Sequence, residues 1–557
     1  MTENTKRVLI VGGVAGGATC AARLRRLCEK IEVVVFDRGP HVSFANCGLP
    51  YYVGDVIRDE GKLLVATADL FQNRFNIQVR TEHEVLSIDR ARKTIAVKNL
   101  KTGTTKDESY DVLVLAPGAN AIRPSIPGID LPGIFSVRTI PDSRRVREWI
   151  TDKGAESALI IGGGFIGLEM AENLAHRGLK CTIVEKADQV MPPLDPEMAA
   201  PVARQLEAHG VTLRLSDGVA AFAITDDGKI AVATERGAKL VADLVILAIG
   251  VRPETSLARS AGLTIGATGG IAVDETMRTS DPNIYAVGDA VETTDTVTGN
   301  KQVVPLAGPA NRQGRVAAEA ICGRDTHFRG VQATAVCGVF GMTVASTGAS
   351  EKALKRANIT DYEKIYLHPG HHVGYYPGSK PIHLKVLFRH SDGRILGAQA
   401  LGEEGVEKRI DIIAMALQLG GTVHDLGEAE LCYAPQFGAA KDPVNLAGFI
   451  AENVRNGDMP LGSWNAIHDP ENFLLDVREP GECQQGMIAG AVNIPLHQLR
   501  ARLAELPKEG PILVYCAVGQ RGYYAVRLLR QNGFDARELS GGWQTHRTLP
   551  GHATAEE

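Results

Sequence analysis

The sequence predicts an α/β protein built from two doubly wound nucleotide-binding domains, an α+β domain and a small α/β domain. Three observations carry this. A strand, glycine turn, helix and strand over Lys6–Asp37 recur over Ser157–Glu185. Each unit leads to a later buried-strand run ending in glycine, Tyr110-Asp-Val-Leu-Val-Leu-Ala-Pro-Gly118 and Ala242-Asp-Leu-Val-Ile-Leu-Ala-Ile-Gly250. Near the C-terminus short apolar strands, Phe473–Val477 and Ile512–Tyr515, alternate with helices.

A chain of 557 residues exceeds one hydrophobic core and requires roughly three to four domains. Hydrophobic residues make up 44%, charged residues 22%, and the net charge is −5, an ordinary globular balance. That balance gives no electrostatic footprint for nucleic acid, and no run of about 20 apolar residues marks a membrane span. The nine cysteines form no CxxC pair and no metal-ligand comb, so neither a disulfide framework nor a metal site is expected. A reducing cytoplasm is the expected compartment.

In order along the chain, residues 1–150 form the first nucleotide-binding domain, which resumes over 255–325, a stretch that contains Ile284-Tyr-Ala-Val-Gly-Asp289. The second occupies 151–254, nested within the first. Over 326–455 the pattern changes to strands such as Ile382–Phe388 followed by a helix from about Glu404 to Leu419, an α+β domain of the kind that forms interfaces. Residues 456–463 read as a short linker, and 464–557 as the small α/β domain.

The second unit holds Gly162-Gly-Gly164-Phe-Ile166-Gly167, a complete G-x-G-x-x-G between strand and helix. Its glycines allow a tight turn, close approach to a pyrophosphate, and packing of helix on sheet, and Glu169 follows on that helix. Glu185 ends the next strand, placed to accept a hydrogen bond from a ribose 2′-hydroxyl. A carboxylate there repels a 2′-phosphate, which favours NADH; Lys186 beside it leaves NADPH open. The first unit, Gly12-Gly-Val14-Ala-Gly16-Gly17, has Val at the second glycine position but keeps its strand-end acid, Asp37, followed by Arg38. Gly288-Asp289 lies within the resumed part, its acid suited to a flavin ribityl chain.

These units together resemble the two-dinucleotide-binding flavoprotein family over residues 6 to about 450. The resemblance implies FAD in the first Rossmann-like domain, held around Gly12, Gly16, Gly17, Asp37, Arg38, Gly118, Gly288 and Asp289. It implies NADH or NADPH in the second, around Gly162, Gly164, Ile166, Gly167, Glu169, Glu185 and Gly250. It also gives Cys47 a role, as the redox sulfur set against the flavin. There is one cysteine rather than a CxxxxC pair, so its oxidised form is a mixed disulfide with another molecule. Ser43-Phe-Ala-Asn46-Cys47-Gly-Leu-Pro-Tyr-Tyr is similar to the coenzyme A disulfide reductase branch, where that molecule is coenzyme A. Related NADH oxidases and peroxidases carry a His in the first glycine loop, and Val14-Ala15-Gly16 has none, which counts against peroxide as substrate.

Carried over residue by residue, the branch's coenzyme A contacts fall on Thr19, Arg23, Arg26, Ser43, Asn46 and Lys441. A further contacting lysine of some relatives falls on Phe75, where neighbouring Arg74 is the available substitute. The branch implies an α+β dimerisation domain and a homodimer with shared active sites. Tyr433, with Tyr375 or Tyr376, matches tyrosines that reach the other subunit's site and can donate a proton to a leaving thiolate.

The C-terminal domain resembles a single rhodanese module through Leu475-Asp-Val-Arg478-Glu, Ile488-Ala-Gly-Ala-Val-Asn-Ile-Pro495, the loop Cys516-Ala-Val-Gly-Gln-Arg521 and Leu539-Ser-Gly-Gly-Trp543. A six-residue loop at a strand-to-helix junction aims backbone N–H groups at Cys516, and with Arg521 stabilises thiolate and persulfide anions. Together the resemblances imply a homodimeric FAD enzyme that uses NAD(P)H to reduce coenzyme A persulfide or polysulfide through Cys47, releasing sulfide. The alternatives are a reductase of coenzyme A disulfide and a sulfurtransferase centred on Cys516; an NADH oxidase is the weakest.

Overall fold

The structure, a computed structural model, describes residues 6–550, and the chain divides into two compact units. The first runs to Asp188 and resumes over Gly210–Ala333. Its first sheet is parallel, in the order Ile284–Ala286, Val112–Leu115, Arg7–Val11, Glu32–Phe36 and Gln78–Arg80. Val8, Ile10, Val33 and Val35 pack on one face and Leu9, Val34 and Leu113 on the other. Burial on both faces is why these strands read as continuous apolar runs. The second sheet repeats the design with Thr212–Arg214, Lys180–Val184, Ser157–Ile161, Leu244–Leu247 and Ile134–Phe135, again parallel.

Gly118 and Gly250 each end a central strand in the left-handed region and lead into Ala119–Ala121 and Val251–Pro253. Those two segments pair antiparallel. The chain therefore leaves and re-enters the first domain through one ribbon, beside the carboxyl ends of both sheets where ligands of doubly wound folds bind.

The second unit contains residues 189–209 and everything from Thr334. An antiparallel sheet runs Ala335–Val339, Met342–Gly348, Ile395–Gly402, Ile382–Phe388 and Glu363–Leu367. The helix read as 404–419 is Val406–Gln418. A four-stranded parallel sheet, Val492–Asn493, Phe473–Asp476, Ile512–Tyr515 and Ala536–Glu538, forms the core of the C-terminal domain.

The segment read as a linker is not a free tether. The Glu538 N–H donates to the Pro460 carbonyl (2.8 Å), and the Gly462 N–H donates to the Glu538 carbonyl (2.8 Å), so residues 460–462 lie along that sheet's edge. The same domain is pinned to the antiparallel sheet by the Tyr366 N–H donating to Ser540 Oγ (2.9 Å) and by His368 Nε2 against Thr545 Oγ1 (2.8 Å). Between these contacts and residues 189–209 lies a fully buried ammonium. Lys385 Nζ donates to Asp195 (2.8 Å), Glu197 (2.5 Å) and Glu351 (2.6 Å). The three carboxylates have the spacing of a metal cluster, but the lysine is their cation.

Candidate functional site

Both glycine turns are shaped to bring backbone close to a ligand. Gly12 (φ +94°) and Gly162 (φ +108°) sit in the left-handed region, and a Cβ would lie 2.0 and 2.4 Å from the carbonyl oxygens of Ala116 and Ala248. A Cβ at Gly17 or Gly167 would meet the carbonyl oxygen of the turn's own first glycine at 1.9 or 2.0 Å, so the helix could not rest on the strand. At Gly164 a Cβ would meet nothing within 4 Å, which is the open approach a pyrophosphate needs.

The strand-end acids do the same thing in both repeats. Asp37 accepts from the N–H groups of Gly13 (2.9 Å) and Gly39 (2.8 Å), and Glu185 from those of Gly163 (2.6 Å) and Ala187 (2.7 Å). Each carboxylate thus faces its glycine turn, where a ribose is expected. Lys186 turns to Glu235, at 3.0 Å, instead of standing as an unpaired cation beside that position. Arg38 donates to Asn120 Oδ1, and Ile166 lies half-buried on the second helix. Asp289 is held by Arg138 (2.9 Å), and the Gly288 N–H donates to Gln313 Oε1 (2.7 Å).

Cys47 occupies a single 3₁₀ turn, Asn46–Gly48, with an exposed side chain. Burial nevertheless raises its thiol pKa most, Glu169 and Asp289 raise it further, and its own N–H and Arg138 oppose them. The Glu169 carboxyl is itself pushed up to about 7, mainly by burial and against a hydrogen bond from Tyr51. Since Glu169 ionises before the thiol does, its charge opposes formation of the Cys47 thiolate. Glu169→Gln is therefore expected to lower the pH midpoint of Cys47 alkylation by iodoacetamide; an unmoved or higher midpoint contradicts this electrostatic assignment.

The residues placed by resemblance as coenzyme A contacts have varied surroundings. Ser43 adopts a left-handed backbone (φ 48°) and its N–H donates to the Gly13 carbonyl, which joins the Cys47 segment to the first glycine turn. Asn46 Nδ2 donates to the Arg138 carbonyl, and Thr19 Oγ1 to Asn311. The Arg23 guanidinium is paired with Glu319. Arg26 is exposed at the end of the same helix. Lys441, in the second unit, is exposed beside Asp442, whose carboxylate is buried against Arg409 (2.8 Å).

The structure separates two tyrosines that the sequence left equivalent. The Tyr375 hydroxyl lies 2.7 Å from that of Tyr433, and these side chains are 74% and 45% exposed. Tyr376 instead packs edge-on against the buried His372 ring, at 5.5 Å.

In the C-terminal domain Cys516 is fully buried. The Gly519 N–H donates to its sulfur (3.2 Å). Burial raises its pKa, and the N–H groups of Gly522, Val518 and Gly519 oppose that rise. The loop is backed by the Trp543 N–H on the Cys516 carbonyl (2.8 Å) and the Gln544 N–H on that of Ala517 (3.0 Å). Arg521 reaches the sulfur, and its guanidinium is held at two points by Glu482, at 2.6 and 2.7 Å. Behind the loop lies Glu538, buried, with its carboxyl pushed well above the usual carboxylate range by that burial. Sequence reasoning gave no role to Arg138, Tyr51, Glu482 or Glu538; the first three are defined by partners elsewhere in the chain, Asp289, Glu169 and Arg521, and Glu538 by its burial.

Comparison with known proteins accounts for this arrangement. A family model for the pyridine nucleotide-disulphide oxidoreductases matches residues 6–314. The chain belongs to this family. The family's dimerisation domain matches 334–442, and a rhodanese-like domain matches 463–546. A coenzyme A disulfide reductase of Staphylococcus epidermidis is 37% identical over 447 residues, covering 80% of this chain and 100% of that protein. The reduced CoADR-RHD of Bacillus anthracis is 47% identical with a TM-score of 0.96, covering 98% of each chain. An NAD-dependent persulfide reductase from A. fulgidus is 37% identical with a TM-score of 0.90, covering 97% of this chain and 99% of that one.

The enzyme is thus an oxidoreductase of this family, with two nucleotide-binding domains, a dimerisation domain and a rhodanese-like domain. FAD and NAD(H) are its cofactors, and the two glycine turns with their strand-end acids fit dinucleotides. Among the described residues no helix is long and apolar enough to cross a membrane.

Proposed function

We propose that the enzyme reduces coenzyme A persulfide, and with it polysulfide sulfur, to sulfide at Cys47, while Cys516 carries sulfane sulfur. One observation carries this reading: two cysteines, each in its own separate setting, stand on one chain. Cys47 is exposed beside Glu169, Asp289 and Arg138, and Cys516 is enclosed by backbone N–H groups. The relatives named for coenzyme A disulfide and persulfide reduction support it.

FAD, when bound, would supply the two-electron redox chemistry for a sulfur–sulfur bond at Cys47, with NADH as the electron source. The first glycine turn with Asp37, Arg38, Gly118 and Asp289 would hold FAD, and the second with Glu169, Glu185 and Gly250 would hold NADH. In one course the Cys47 thiolate attacks the outer sulfur of the persulfide. Coenzyme A thiolate leaves, and two-electron cleavage of the Cys47 persulfide returns the thiolate and hydrosulfide. In the other it attacks the inner sulfur and expels hydrosulfide, and cleavage of the mixed disulfide returns both thiolates.

Either leaving thiolate needs a proton donor, and the paired hydroxyls of Tyr375 and Tyr433 supply one to the other subunit of a homodimer. Coenzyme A meets Thr19, Ser43 and Asn46, and Arg23 and Arg26 on the first helix face its phosphates. Coenzyme A disulfide enters the same chemistry as a slower substrate, because a reductase serving only the thiol pool has no use for the Cys516 carrier. Cysteines without disulfides among the described residues accord with the cytoplasm as the compartment.

The test separates the two cysteines. Cys516→Ser should abolish sulfur transfer to an added thiol acceptor and leave NADH oxidation by preformed coenzyme A persulfide within about two-fold. Sulfur transfer as fast in Cys516→Ser as in wild type would remove Cys516 from the account. NADH-driven sulfide release that needs Cys516 but not Cys47 would replace this reading with a sulfurtransferase one.

A further inference from the structure

Arg521 is the only cation in the loop Cys516-Ala-Val-Gly-Gln-Arg521, yet its guanidinium is committed to Glu482 by two short contacts, at 2.6 and 2.7 Å. The neighbouring cation, Arg478, is buried and paired with Asp476 (2.7 Å), and gives its remaining donors to the carbonyls of Gly486 and Glu482. Glu538 lies buried behind the loop, its carboxyl pushed up by burial. Each positive charge in this set is matched by a carboxylate. The rim beside the loop is apolar and aromatic, with Val518 37% and Tyr524 49% exposed and Gln520 Nε2 donating to the Tyr524 hydroxyl (3.0 Å).

We propose that Glu482 sets the substrate specificity of the Cys516 site: by holding Arg521 it withdraws the loop's cation from incoming donors, so that thiol persulfides are accepted and the thiosulfate dianion is disfavoured. The proposal rests on the reading of Cys516 as a sulfur carrier. With a thiol persulfide, R–S–SH, the Cys516 thiolate attacks the outer sulfur. The sulfur–sulfur bond breaks, the thiolate of R leaves to take a proton from water, and Cys516 keeps the sulfur as a persulfide without net redox change. With thiosulfate the same attack expels sulfite, so a dianion must both approach and depart beside a nucleophile that is itself an anion. Nothing but backbone N–H groups would compensate that charge while Glu482 occupies the guanidinium. A persulfide presents a single charge at the sulfur, where those N–H groups converge, and its apolar arm suits the Val518 and Tyr524 rim.

Glu482 also closes the turn at Glu479, accepting from the Glu479 N–H (3.0 Å), and a glutamine can keep that bond. Glu482→Gln in the full-length holoenzyme is therefore the test, with sulfur transfer to a thiol acceptor measured from thiosulfate and, separately, from glutathione persulfide. Wild type should favour the persulfide in kcat/KM. The variant should gain roughly ten-fold or more in kcat/KM for thiosulfate, the usual scale of one charge-assisted contact, with the persulfide value moving less than about two-fold. The gain should shrink as ionic strength rises, and should vanish in Glu482→Gln/Arg521→Met. An unchanged ratio of the two donors, or a wild type that prefers thiosulfate, overturns the proposal while Cys516 remains the carrier. Transfer from both donors surviving Cys516→Ser would instead overturn the carrier reading beneath it.

Discussion

Cys47→Ser is expected to lower NADH-dependent reduction of coenzyme A persulfide by on the order of 10³-fold or more, the scale seen when a covalent nucleophile is removed. A serine hydroxyl cannot ionise at neutral pH and forms no bond equivalent to a persulfide or mixed disulfide. The fold around it should not change. Cys47 makes no side-chain hydrogen bond among those described, and its exposed 3₁₀ turn is held by Ala45 and Leu63 through the backbone. Cofactor content by absorbance and thermal stability should therefore match wild type, and sulfur transfer at Cys516 should continue. Loss of all activities together would show that the substitution disturbs the fold, not the chemistry.

The largest expected effect on stability belongs to Lys385→Met. The Lys385 side chain has 0% exposure and neutralises Asp195, Glu197 and Glu351. Burial alone pushes the Glu351 carboxyl up, but the ammonium groups of Lys385 and Lys364 reverse this and hold it at about 2. Removing the lysine leaves three carboxylates together with one cation, Lys364 on Glu351, and with Tyr362, Tyr366, Gln399 and the Glu351 and Lys352 N–H groups as their remaining donors. A loss of about 3–5 kcal/mol follows from breaking such a buried cluster on one side, or roughly 10 °C in Tm for a unit of this size.

The pH dependence has opposite signs in the two proteins. In wild type the folded pKa of Glu351 lies below its ordinary value. Its stabilising contribution is present above the ordinary carboxylate range and is lost as pH falls toward about 2. In the variant the orphaned carboxylates titrate high, so lowering the pH toward 5 should narrow the difference in Tm between variant and wild type. A Tm within 2 °C of wild type at pH 7 would show that the cluster contributes little.

The architecture was legible because its signals are local. A glycine turn between a buried strand and a helix, with an acid at the next strand end, lies within one supersecondary unit. The same hydrogen bonds at Asp37 and Glu185 show the two units to be physical copies. The Cys516 loop was legible for the same reason, its sulfur and N–H donors lying within six residues. What escaped is long-range. Arg138 meets Asp289 across 151 positions, Glu482 meets Arg521 across 39, and Lys385 meets Asp195 across 190. A charged side chain seen in sequence gives no sign of whether its partner is solvent, ligand or a distant carboxylate. Arg23, read as a phosphate contact, has such a distant carboxylate in Glu319. Adjacent tyrosines pose a similar problem: only the turn between Gly374 and Gly378 decides that Tyr375 meets Tyr433 while Tyr376 packs on His372.

The most direct test is anaerobic NADH oxidation by the wild-type holoenzyme, offered coenzyme A persulfide and coenzyme A disulfide separately, with sulfide measured in the same samples. The account predicts a higher kcat/KM for the persulfide, one sulfide released per NADH consumed, and loss of both in Cys47→Ser. Faster turnover of the disulfide, or persulfide turnover that survives Cys47→Ser, would contradict it.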